Sequence, residues 1–147
     1  MAGFLSAITE RGATPALIAT VSFNESRLRM LGENIANLHT PGYHAKQLDV
    51  RAFQGALKKA LDVRRAEPGR PFAVRSGDEV RTDERGALRV TPRETPVENV
   101  LFHDGTNASL ERQMADLTET EMAHDLAVTL LQDKFNTLRK AIRGNMV

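Results

Sequence analysis

Two long stretches of the chain set their apolar residues at alternating steps of four and three. The first runs Leu17, Val21, Asn24, Leu28, Leu31, Ile35, Leu38, a heptad spacing held over about three heptads. Val21, Leu28 and Ile35 take one seam position, and Leu17, Leu31 and Leu38 take the other. The second runs Leu110, Met114, Leu117, Glu121, His124, Val128, Leu131, Phe135, Leu138, Ile142, over roughly four heptads. Both predict long helices. Thr14-Pro15 supplies an N-cap followed by Pro at the first helical position. A His103-Asp104-Gly105 turn leads into the second helix, Asn107 or Ser109 caps it, and Gly144 ends it. Such a helix is ~50 Å long, and Lys134, Arg139, Lys140 and Arg143 suit the negative end of its dipole.

The rest of the chain is less regular. Phe4, Leu5 and Ile8 mark a short helix or a frayed end. Tyr43 to Val50 reads as extended and irregular. Phe53, Ala56, Leu57, Ala60 and Leu61 fall at helical spacing and predict one short amphipathic helix. Residues 62 to 103 then gather four of the six prolines among many charges, with isolated apolar residues. A hairpin of Val80–Thr82 and Leu88–Val90 around Asp83 to Gly86 is conceivable. The expected state of the free chain here is nonetheless disorder, because so little local apolar surface offsets the ordering entropy.

These elements predict an all-α fold. Two heptad-patterned terminal helices form an antiparallel coiled-coil hairpin, joined by an irregular, flexible middle. Residues 1–50 hold the first helix and a turn, 51–103 the variable middle with one short helix, and 104–147 the last helix: one domain built from both ends. If Leu38 lies near Leu110, Asn24 faces His124, and Glu121 joins them in one polar layer. Asn24 then either fixes the register, as a lone seam Asn can, or faces solvent at a loose spot. Two helices alone make a thin core, and Ile18, Met30, Leu126 and Leu130 lie off the seam. Further helices from other subunits are therefore expected, as in an open helical polymer that gains stability on assembly. The candidate packing residues are Leu17, Val21, Leu28, Leu31 and Leu38 on the first helix. On the second they are Leu110, Met114, Leu117, Val128, Leu131, Phe135, Leu138 and Ile142.

Composition narrows the function by exclusion. The net charge of +1 gives no electrostatic case for nucleic acid, and a single Tyr with no Trp leaves little for base stacking. Without Cys there are no disulfides or thiolate metal sites. Residues 1 to 20 lack the pattern of a cleavable signal, and no run approaches ~20 apolar residues. His39, His44, His103 and His124 form no helical pair suited to a metal. No nucleophile motif or phosphate-cradling Gly loop is present. The sequence therefore predicts a non-enzyme with no cofactor, metal or small-molecule substrate. Lys58, Lys59, Arg64 and Arg65 read as a solvated basic face, with contact to an acidic neighbour as the alternative.

The most specific string lies where the first helix must stop: Glu33 to Ala45, E-N-I-A-N-L-H-T-P-G-Y-H-A. Pro41 pushes Thr40 out of the helical region, and Pro41-Gly42 supplies the centre of a type II turn with Gly42 at positive φ. Asn34 and Asn37 are expected to compete for backbone hydrogen bonds and loosen the last turn. Asn34, Ile35, Ala36, Asn37, Thr40, Pro41, Gly42 and Tyr43 resemble the N-terminal signature of the bacterial flagellar axial proteins, with Leu38 and His39 departing from it. Toward the other end, Asp104, Gly105, Asn107, Lys134, Phe135, Leu138, Arg139, Ala141 and Ile142 resemble the proximal rod subunits of that family. The two ends together cover about half the chain, and Arg51 to Phe102 match nothing.

The resemblance implies a structural subunit of the flagellar basal-body rod, which transmits torque from motor to hook. Implied partners are copies of itself, other rod subunits, the rod's base adaptor, the membrane ring protein and the flagellar type III export gate. It also implies a place in the rod, in the periplasmic space, reached by export without a cleavable signal peptide. The alternatives are another small rod subunit or a soluble helical-hairpin adaptor or secretion chaperone, which would form a closed dimer.

Overall fold

A computed structural model of the chain describes residues 13–94 and 105–144. Its elements are α1 (Thr14–Ala36), β1 (Lys46–Gln47), α2 (Val50–Ala66), β2 (Arg75–Ser76), β3 (Val80–Thr82), β4 (Leu88–Val90), β5 (Arg93–Glu94) and α3 (Gly105–Gly144). The run with Phe4, Leu5 and Ile8, and the His103-Asp104 part of the expected turn, lie outside the described residues. The chain is mostly helical, but it is not all-α.

Helix α1 is apolar on two adjoining faces, and that determines the architecture. One face sends Ala19, Phe23 and Met30 into a core shared with Leu48, Phe53, Ala60, Val74 and Val80. The Phe23 and Phe53 rings stack with centroids 4.0 Å apart. The adjoining face lies along α3, where Arg27 reaches Asp116 at 3.6 Å. Pro15 sits in the first turn, but the N-cap is Ala13 and makes no side-chain cap bond. Thr14 is a buried helical residue rather than the cap.

Helix α2 begins earlier and ends later than its spacing predicts. Asp49 is its N-cap, and Asp49 Oδ1 accepts a 2.9 Å bond from the Ala52 N–H. Arg64 and Arg65 in the last turn complement its dipole. Phe53 and Ala60 are buried, with Ala56 and Leu57 alongside them.

As far as Glu94 the middle of the chain is folded, against the expectation of disorder. β2, β3 and β4 form an antiparallel sheet, with Val80 opposite Val90 and Thr82 opposite Leu88. The conceivable hairpin is therefore present. Its turn is held by Asp83, whose Oδ1 accepts from the Arg85 and Ala87 N–H groups, each at 2.9 Å. The physical reason is that isolated apolar residues are not scattered in space. Val80 and Thr82, like Leu88 and Val90, alternate along their strands and so fall on one face. With Phe72 and Val74, the side chains of Val80, Leu88 and Val90 meet the core built by α1 and α2. The surface that offsets ordering is supplied from elsewhere in the chain, which local composition does not record.

Helix α3 uses a different seam from the expected one. Residues 110, 117, 124 and 131 are at least half-buried, but the intervening positions are Gln113, Thr120 and Ala127. Thr120 and Ala127 are buried, whereas Met114 and Glu121 are exposed. One row of the seam is kept and the other moves back by one residue, so the buried face is turned by roughly 50° toward the small side chains. Glu121 therefore does not join a buried polar layer. Asn24 is only 7% exposed, which rules out the solvent-facing reading. Asn107 and Ser109 lie inside a helix that already runs from Gly105.

Candidate functional site

The signature string folds into a compact hydrogen-bonded turn. Helix α1 closes at Ala36, with the Asn37 N–H bonded to Glu33 O at 3.1 Å. The chain turns through Thr40 to Tyr43, where the Tyr43 N–H donates to Thr40 O at 3.2 Å. Gly42, at the third position, has φ of 76°, as a type II turn requires. Pro41 and Gly42 are exposed.

Asn34 organises the chain beyond this turn. Its buried amide donates through Nδ2 to Lys46 O at 2.7 Å and accepts through Oδ1 from the Lys46 N–H at 2.9 Å. An amide side chain carries one donor and one acceptor group, as a neighbouring strand would present them. Asn34 thereby serves as a strand edge for β1. The Tyr43 hydroxyl also donates to Asn34 Oδ1, at 3.0 Å. On its other side β1 pairs antiparallel with β5, Lys46 opposite Glu94 and Gln47 opposite Arg93. Arg93 is held in turn by Glu79 at 2.8 Å. The turn thus joins the end of α1 to the end of the middle sheet region.

Asn37 plays a different part. Its Nδ2 donates back to Glu33 O at 2.8 Å, and its Oδ1 accepts from the Thr40 hydroxyl at 3.3 Å. This is the local competition expected of both asparagines. Asn34 instead reaches twelve residues forward, and sequence reasoning missed that role. The available signal was position: Asn34 lies on the core face of α1, where an amide is admitted only if its bonds are made. The Lys46 ammonium lies 2.9 Å from the Glu33 carboxylate. That hydrogen bond, with the Glu33 charge, raises the Lys46 pKa above its ordinary 10.5.

The expected packing residues are distributed unevenly. Leu31 is buried, and Leu17, Val21, Leu28, Leu38, Leu110, Leu117, Val128, Leu131 and Leu138 are half-buried. Met114, Phe135 and Ile142 are exposed, as are Met122, Leu126 and Leu130. Ile35 is half-buried and Ala36 exposed.

The chemistry of the described residues is sparse. His39 and His44 are exposed, His124 sits 3.5 Å from Asp125, and His103 lies outside the described residues. Among the described residues no group of three or more His, Asp or Glu side chains converges. An open groove between the start of α1 and the sheet is lined by Pro15, Ile18, Phe72, Glu84 and Leu88. Among the described residues no helix is long and apolar enough to cross a membrane.

No protein-family model matches the chain, and no solved structure matches it significantly. Among curated proteins it is similar to the flagellar basal body rod protein FlgB of Salmonella typhimurium. The two are 21% identical over 131 residues, an alignment covering 84% of this chain and 88% of that protein, a distant similarity.

Proposed function

We propose that the chain is a structural, non-catalytic subunit of the bacterial flagellar rod, in its proximal part, where it passes torque from motor to hook. In this reading α1 and α3 pair as an antiparallel coiled-coil hairpin, and the turn at Asn34 holds the middle of the chain against it. The observation that carries the proposal is the exposure of apolar side chains along α3, from Met114 through Leu126 to Ile142. A helix that is apolar both toward α1 and away from it is suited to contact other chains. The distant likeness to a flagellar rod protein supplies the kind of assembly. Its partners are then further copies, other rod subunits, the rod's base adaptor and the membrane ring protein, reached through the flagellar export gate.

The test is location. Antibody against the chain is expected to label isolated basal bodies at the rod, and deletion to leave cells without a completed rod. A protein confined to the cytoplasm as a stable closed dimer overturns the proposal and fits a helical adaptor or secretion chaperone.

A further inference from the structure

Helix α3 carries its charge in two blocks. From Asp116 to Asp133 every Lys, Arg, Asp or Glu position is acidic: Asp116, Glu119, Glu121, Asp125 and Asp133. From Lys134 to Arg143 every one is basic: Lys134, Arg139, Lys140 and Arg143. Asp116 is engaged by Arg27. Among the described residues none of the four basic side chains takes part in an ion pair, and all four are exposed.

Each block surrounds an exposed apolar surface. Met122, Leu126 and Leu130 succeed one another at four-residue steps and are 70%, 61% and 45% exposed. Glu119 and Asp133 stand at the two ends of that stripe, and Asp125 lies beside it. In the basic block, Phe135 and Ile142 are exposed and seven residues apart, with Lys134 and Arg139 to either side.

We propose that these two surfaces dock on each other between copies: the basic tail of α3 in one subunit covers the acidic, apolar middle of α3 in the next. The two match in charge as well as in apolar character. Leu126 and Phe135 are nine residues apart, about two and a half turns, so the surfaces face opposite sides of the helix. One straight helix therefore does not offer both to the same partner. The contact is heterologous and does not close, so copies add head to tail with a stagger of about 20 Å between the centres of the two blocks. This deepens the rod-subunit reading by naming the surfaces through which copies meet.

Charge exchange tests it. One variant combines Glu119→Lys with Asp133→Lys; the other combines Lys134→Glu with Arg139→Glu. All four positions are exposed, and circular dichroism should show both variants folded as the parent. By sedimentation in about 50 mM salt, the parent is expected to grow past the dimer. Each variant alone is expected to associate about tenfold more weakly, and an equimolar mixture to recover to within about threefold of the parent. A parent that stays monomeric, or stops at a dimer, overturns the head-to-tail contact. So does a parent that assembles while the variants assemble equally well alone. In that last case the subunit reading stands on its own test of location, and copies meet elsewhere.

Discussion

The Asn34 side chain grips Lys46 at both its N–H and its C=O, at 2.9 Å and 2.7 Å, across twelve residues of sequence. A single amide thus replaces a neighbouring strand and fixes where the chain goes after the turn. Replacing Asn34 with Ala leaves both Lys46 groups and the Tyr43 hydroxyl without these partners. The expected loss is about 2–4 kcal/mol, seen as a lower urea midpoint. Asn34→Asp removes only the donor and sets a carboxylate against the Lys46 carbonyl, so it should also destabilise. Tyr43→Phe removes one bond and should cost about 1 kcal/mol. Equal losses for Tyr43→Phe and Asn34→Ala would show that the grip on Lys46 contributes nothing.

Stacking of Phe53 on Phe23 joins α2 to α1 beside Val74 and Val80. Phe53→Ala is expected to cost about 3–5 kcal/mol. Because the sheet shares that core, hydrogen exchange in β3 and β4 should accelerate together with exchange in α2. Unchanged protection of the hairpin in this variant would mean that the middle of the chain folds independently of α1.

The sequence made some of this legible and hid the rest, for identifiable reasons. Periodicity located α1 and α3, and two positions of the α1 stripe, Asn24 and Leu31, are buried, but Phe23 and Met30, off that stripe, enter the core as well. It misplaced the α3 seam, because Thr120 and Ala127 are not read as apolar although they admit close helix approach. Pro41-Gly42 announced its turn, since backbone restriction is local. The sheet was underrated because Val74 and Val80 are buried against Phe23 and Phe53, which lie far from them in sequence. The turn string carries a family resemblance, yet it holds no sign that Asn34 and Asn37 do different work.

Gly42 has φ of 76°, and the space around its absent Cβ is open. The cost of a side chain there is therefore backbone strain alone. Gly42→Ala should destabilise by about 1 kcal/mol, and Gly42→Asn by less, since Asn tolerates the left-handed region. Thermal melts of the two variants check this. A loss in Gly42→Ala as large as that of Asn34→Ala would point to a contact at the turn surface instead.

The ion pair of Lys46 and Glu33 gives one pH signature. Because the Lys46 pKa is raised in the folded chain, its contribution is fully present below the ordinary 10.5 and is lost as pH rises through the folded value. The pair is exposed, so its effect is small. The stability difference between the parent and Lys46→Met should hold steady from neutral pH toward 10.5 and shrink above it. A difference already gone near pH 8 would assign it to another group.

Asn24 poses the sharpest question about the helix pair. It lies one turn before Arg27, which reaches Asp116 of α3, is buried, and its Nδ2 has no hydrogen-bond partner among the described residues. A buried amide donor left unmade costs about 1–3 kcal/mol, and an apolar residue of similar volume removes that cost. Asn24→Leu is therefore expected to raise the urea midpoint with an unchanged m-value. The polar residue would then be retained for register rather than strength, because a lone seam Asn disfavours shifted pairings. Cysteine pairs placed across α1 and α3 should cross-link at one register in the parent and at more than one in Asn24→Leu. If the variant is instead less stable and its cross-links are unchanged, the amide makes a bond that holds the pair together, and its role is strength rather than register.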